Sequence, residues 1–133
     1  MKPKNVVFIL CLTIVVFALI ISRLRHEPHQ KELFERRPAH LRYTEHSLCR
    51  MRCQRITKED IGEIMQRGII NLNRSDRYAA PCPVYTLQGN TEAGKEVRVV
   101  FSQCAQETLV LTCFNMKQDI TCSCPDDELK KYD

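Results

Sequence analysis

Apolar and polar positions divide the chain into three stretches. Val6 to Ile21 is apolar apart from Thr13, with Cys11 a weakly polar member. Residues 23–43 mix charges with Pro28 and Pro38 and show no apolar period. From Thr44 onward a helical pattern gives way to an alternating one. Thr44 reads as an N-cap, with Glu45 in the first turn, where a negative charge suits the helix dipole. A helix over about residues 45–54 places His46, Cys49 and Cys53 within a ~60° arc, with Arg50 beside them. Leu48 and Met51 fall on the opposite side, and a helix apolar on two faces is predicted to be sandwiched. Thr57 with Asp60 three residues later is a close variant of the capping box. Ile61, Ile64 and Met65 continue that second helix, and Gly68 is predicted to close it as a C′ residue. Gly62 inside it costs ~1 kcal/mol relative to Ala, which predicts close backbone packing there.

Beyond Gly68 the period becomes two. Ile69 to Leu72 reads as a short strand and Val84 to Gln88 as another. Lys95 to Ser102 puts Val97, Val99 and Phe101 on one face and Arg98 on the other. Thr108 to Phe114 puts Leu109, Leu111 and Cys113 together, opposite Val110, Thr112 and Phe114. Turns at 89–94 and 104–107 join three consecutive strands into an antiparallel meander. The predicted fold is α+β: an N-terminal transmembrane helix, then two short helices packed on a small antiparallel sheet of three to four strands. The predicted division is a short flank at 1–5, a transmembrane signal anchor at 6–22, a charged tether at 23–43, a disulfide-stapled domain at 44–125 and a disordered tail at 126–133.

Charge changes this picture in one respect. Residues 1–43 hold eight Lys/Arg and three acids, and residues 44–133 hold twelve and thirteen, so the net +4 belongs to the N-terminal arm. The bulk charge of the domain gives no support for nucleic-acid binding. His26, His29 and His40 lie in the arm, and histidines so spaced read as solvated linker rather than a metal tract.

The apolar run ends in Ala18-Leu19-Ile20-Ile21-Ser22-Arg23, without the A-x-A-like site of a cleaved signal peptide, so it reads as an uncleaved anchor. Phe8-Ile9-Leu10 before Cys11 lacks the small residues of a lipidation site. Lys2, Lys4 and the α-amine on one side balance Arg23 and Arg25 on the other, so the positive-inside rule names no clear winner. It can even be read for a cytoplasmic C-terminus, a reading the cysteines overrule. The cysteines decide: seven of the eight follow the anchor, and that density suits an oxidising, extracytoplasmic space. The expected location is a single-pass membrane protein with its domain in the periplasm or a comparable compartment. Asn73-Arg74-Ser75 fits a glycosylation sequon, but short sequons arise by chance and nothing else marks a eukaryotic route.

Cys113 alternates with leucines and reads as a buried small hydrophobe. Cys49, Cys53, Cys82, Cys104, Cys122 and Cys124 remain, and six cysteines allow fifteen pairings. Cys122 with Cys124 would have to meet across one residue, and Cys49 with Cys53 is strained on a helix. Each helical cysteine is therefore expected to reach a loop or tail cysteine. The competing reading is a metal site built from His46, Cys49, Cys53, Cys122 and Cys124, whose ligand types suit Zn or Cu(I) but whose spacing matches no common zinc module. A redox reading lacks a Cys-x-x-Cys motif.

His46, Arg50-Met51, Gln54-Arg55-Ile56, the helix Lys58–Arg67 ending in Gly68 and the strand ending in Val110-Leu111-Thr112 resemble the domain of unknown function 4258 family, over about residues 43–116. The Cys-x-x-x-Cys helix, Cys82-Pro83, Val97-Arg98-Val99-Val100-Phe101, Cys104 and the Cys-x-Cys tail resemble a cysteine-rich exported variety found in Bacteroidetes-type bacteria. The resemblance implies a small α+β fold similar to RelE-type and BrnT-type ribonuclease toxins, and it implies no activity.

Three functions follow. The first is a non-enzymatic envelope interaction module, held to the lipid bilayer through residues 6–22 and binding an envelope protein, with no cofactor. The second is an RNA-cleaving domain in which His46, Arg50, Arg55 and Arg98 supply a general acid/base and cations for phosphorane charge. The third is metal or redox handling through the Cys/His set. Neutral domain charge, the tether and dense cross-linking favour the first.

Overall fold

The computed structural model describes residues 3–24 and 33–125. The chain divides into two compact units, Met1–Leu33 and Phe34–Asp133. In the first, helix α1 spans Pro3–Leu24. It begins inside the predicted flank, because proline is tolerated at the start of a helix, and its 22 residues reach ~33 Å at 1.5 Å each. Pro3–Arg23 has a mean hydropathy of 2.8 and is long and apolar enough to cross a membrane.

The second unit runs β1 (Leu41–Tyr43), α2 (Glu45–Gln54), α3 (Lys58–Arg67), β2 (Ile69–Ile70), a 3-10 turn (Leu72–Arg74), β3 (Val84–Asn90), β4 (Glu96–Gln103) and β5 (Thr108–Asn115). The fold is α+β, with five strands in the order β1-β5-β4-β3-β2. The β2–β3, β3–β4 and β4–β5 pairs are antiparallel and β1 runs parallel to β5, so the sheet is mixed rather than wholly antiparallel. Three residues are too few to show a period, and only long-range pairing makes β1 a strand.

The folded unit also starts earlier than Thr44. Phe34 is 1% exposed, with its ring 5.6 Å from Tyr85 and 5.3 Å from Phe101. Arg36 donates to the carbonyls of Met65 (2.9 Å), Gln66 (3.0 Å) and Gly68 (3.1 Å), closing the end of α3. Burial lowers the pKa of its guanidinium. A tether over 23–43 is therefore shortened by the ten residues that fold; positions 25–32, like the predicted tail at 126–133, lie outside the described residues.

Register explains the core. Val97 lies opposite Asn115, Val99 opposite Cys113, and Phe101 opposite Val110, with a shift at Val100/Phe101. Residues directly opposite share a face, so the inward set on β5 steps by two from Asn115 to Cys113 and then by three to Val110. The extra residue is a bulge, which moves Leu109 and Leu111 off the face of Cys113, contrary to simple alternation. Val97, Val99, Phe101, Val110 and Cys113 are all wholly buried, beneath Ile61, Ile64 and Met65 of α3 and Met51 of α2.

Two glycines behave differently from expectation. Gly68 caps α3 in an extended conformation, φ −61 and ψ 150, rather than left-handed. Glycine suits it because a Cβ would collide with the Ile64 carbonyl oxygen. Gly62 has open space where its Cβ would be, so no close packing requires it. Gly94, at φ 76, meets the left-handed demand of the β3–β4 turn.

The capping box of α3 is complete. Asp60 N donates to Thr57 Oγ1 (3.2 Å) and Thr57 N to Asp60 Oδ2 (2.8 Å). Lys95 Nζ from the β3–β4 turn also reaches Asp60 Oδ2 (2.6 Å) and the Arg55 carbonyl (2.9 Å). Burial alone would raise the Asp60 pKa, but the Lys95 and Thr57 hydrogen bonds prevail and hold it below its ordinary 3.8. A carboxyl depressed on folding stabilises above the unfolded value and loses that contribution as pH falls through the folded one. Asp60→Asn is therefore expected to cost about 1–2 kcal/mol at neutral pH. Urea unfolding should show the gap from wild type narrowing below the ordinary value; a gap independent of pH would remove the ionised carboxylate from the account.

Candidate functional site

The site is built on α2. Thr44 accepts from Ser47 N (3.1 Å) as N-cap, and its hydroxyl donates to Val110 O (3.2 Å) and Leu111 O (3.1 Å), fixing the helix start to the bulge of β5. Arg55 ends the helix in the left-handed conformation, φ 55 and ψ 41. The helix is enclosed on two sides, though not through the predicted apolar pair: Met51 is buried, but Leu48 is 37% exposed. Ser47, Met51 and Gln54 are buried, and α2 packs on β5. On another side lies the segment after β5.

That segment is strapped along the helix in antiparallel fashion. Gln54 Nε2 donates to Ile120 O (2.9 Å) and Cys122 Sγ (3.4 Å), while Gln54 Oε1 accepts from Asn115 N (3.1 Å). Cys53 is bonded to Cys122, and one turn earlier Cys49 to Cys124. His46 completes the ladder, its Nδ1 2.9 Å from Pro125 O. A carbonyl only accepts, so Nδ1 carries the proton. The third bridge, Cys82–Cys104, joins the segment before β3 to the β4–β5 turn.

This geometry bears on each candidate. The four sulfurs proposed as metal ligands are shared between two disulfides, and the described residues contain no group of three or more His, Cys, Asp or Glu that could hold a metal ion. His46 is 8% exposed beneath the strap and does not present its ring to a substrate. Arg50 is buried, its guanidinium carbon 4.5 Å from the Phe114 ring centroid. Arg98 lies directly opposite Phe114 in the β4–β5 register, and its Nε donates to Gln88 Oε1 of β3 (3.4 Å). Burial first, and then Arg74, lower the pKa of Arg98. Arg55 stands apart as a helix cap whose carbonyl is held by Lys95.

Cys113 is wholly buried and unbridged, and burial pushes its thiol up to about 12, against a weaker opposing pull from Arg50. A thiol so shifted is inert at neutral pH. Sequence reasoning passed over Gln54, Phe114 and Pro125. A polar residue at a helix end and a carbonyl in a tail carry no periodic signal, although the position of Phe114 opposite Arg98 could have been found from the β4–β5 register.

These features define a small α+β domain whose first helix is stapled to its own C-terminal segment. Over residues 43–115 the chain matches the family described as a domain of unknown function (DUF4258), and it belongs to that family. The match ends with β5, so the strap and Phe34 lie outside it. No curated protein and no solved structure matches the chain.

Proposed function

We propose that this chain is a membrane-tethered, extracytoplasmic domain that acts by binding an envelope partner rather than by catalysis. The observation that carries the reading is the cysteine pairing. All six cysteines outside α1 and the core are bridged, and such dense bridging persists in oxidising spaces. The apolar α1 supports attachment to the bilayer. A domain without the charge excess of a nucleic-acid binder, and with its one α2 histidine engaged by the strap, supports binding over chemistry.

The test combines topology and thiol counting on the full chain in a bacterial host. The chain should remain in carbonate-washed membranes, and protease added outside the inner membrane should remove the domain. Non-reduced, denatured protein should show two reactive thiols, Cys11 and Cys113, rising to eight after reduction. Six or more thiols without reduction, or protection of the domain from outside protease, would defeat the extracytoplasmic reading.

A further inference from the structure

Five large apolar or aromatic side chains of the domain stand exposed among the described residues: Leu48, Ile69, Leu72, Tyr78 and Met116. Three of them fall within ten residues, along one edge of the sheet. Ile69 is 64% exposed, Leu72 47% and Tyr78 90%. β2 is the last strand in the sheet order; Ile69 lies opposite Gln88 of β3, and Asp76 lies opposite Val84. Residues 69–76 therefore run along ~13 Å of β3, and Tyr78 follows at the end of that run. Backbone bonds hold this edge in place. Asn71 N donates to Thr86 O (2.8 Å), Asp76 and Val84 exchange both of their backbone bonds (2.8 Å each), and Tyr78 N donates to Asp76 Oδ1 (3.1 Å). The Tyr78 ring is thus presented from a fixed loop. Beside it stands the exposed Arg77, its guanidinium carbon 5.9 Å from the ring centroid.

We infer that this edge docks on an anionic bilayer surface, with Ile69, Leu72 and Tyr78 entering at headgroup depth and Arg77 among the lipid phosphates. The inference rests on the membrane anchoring proposed above. A tyrosine suits that depth, offering a ring to the acyl boundary and a hydroxyl to the headgroups. Exposed apolar side chains and a neighbouring cation add together at such a surface, where either alone binds weakly. The bilayer is also within reach. Leu24 ends α1 and Phe34 begins the second unit, and the ten peptide steps between them span at most ~35 Å. So short a link gives the bilayer a high effective concentration at the domain, and a few inserted side chains then suffice.

The chain has no tryptophan, so Tyr78→Trp supplies a single emitter. The full-length variant is placed in discs of phosphatidylcholine and phosphatidylglycerol, with acyl chains brominated or not, and circular dichroism checks that it is folded. Its emission should shift to the blue and be quenched by the brominated lipid. Leu48→Trp, on α2 beside β5 and so at the other side of the sheet, should emit as in water and escape quenching. Adding Ile69→Ser and Leu72→Ser to Tyr78→Trp should return its emission to that of a solvated side chain. Arg77→Gln should reduce the quenching where phosphatidylglycerol is present and not in phosphatidylcholine alone. Absent quenching of Tyr78→Trp, or quenching equal to that of Leu48→Trp, overturns the docking and leaves the edge to a protein partner. Quenching that survives the Ile69 and Leu72 substitutions overturns it as well. Retention of the chain in the discs reports the anchor separately, so the docking can fail while the anchoring stands; loss of the chain from the discs overturns both.

Discussion

Replacing all four strap cysteines with serine is expected to cost more than the sum of the two bridges removed singly. Cys49–Cys124 and Cys53–Cys122 span 75 and 69 residues, so either one alone closes nearly the same long loop. Closing that loop is worth ~4 kcal/mol in the chain-entropy account, and the second bridge then closes only the small ring of residues 49–53 and 122–124, worth ~2–3 kcal/mol. Removing one bridge should therefore cost ~2–3 kcal/mol, and removing both ~6–7 kcal/mol, enough to unfold many domains of this size. Urea unfolding of Cys53→Ser/Cys122→Ser, Cys49→Ser/Cys124→Ser and the fourfold variant measures this directly. If the fourfold loss merely equals the two paired losses added together, the strap is not a single shared closure.

Phe34→Ala is expected to cost about 3–5 kcal/mol, as for other buried phenylalanines. The side chain is fully enclosed, and both of its aromatic neighbours belong to central strands, so nothing nearby can collapse into the space cheaply. Leu48→Ala serves as control: its side chain is partly exposed on α2, and its loss should stay near 0.5 kcal/mol. Chemical unfolding that found Phe34→Ala no more costly than Leu48→Ala would return residues 34–43 to the tether.

Phe34 also shows where sequence reading stops. It sits beside Leu33 among Glu32, Glu35, Arg36 and Arg37, and two adjacent apolar residues in a charged run have no period to betray them. Its burial comes from a pocket lined by Tyr85 and Phe101, distant in sequence. β1 was hidden for the same reason, being a strand only because β5 lies alongside. The β5 bulge defeated alternation because an inserted residue changes phase without changing composition. By contrast, the α3 capping box was legible, since Thr57 and Asp60 interact across three residues. The strands β3 to β5 were legible because antiparallel neighbours joined by short turns keep their pattern local. At the candidate site, the shared helix face of His46, Cys49 and Cys53 followed from helix geometry. What that face meets did not, because the partner segment begins beyond β5.

The bridges enclose residues 49–124 and 82–104, so Phe34 to Leu48 lies outside every covalent loop. Mechanical load entering from the N-terminal side therefore meets no sulfur bond before Cys49. It is borne first by an aromatic plug, by the grip of one arginine on three carbonyls, and by a three-residue parallel strand pulled in shear along β5. Behind them the cross-linked remainder cannot be drawn out past Cys49. The domain thus has a yielding collar and an inextensible body, and a pull could peel the first without unravelling the second.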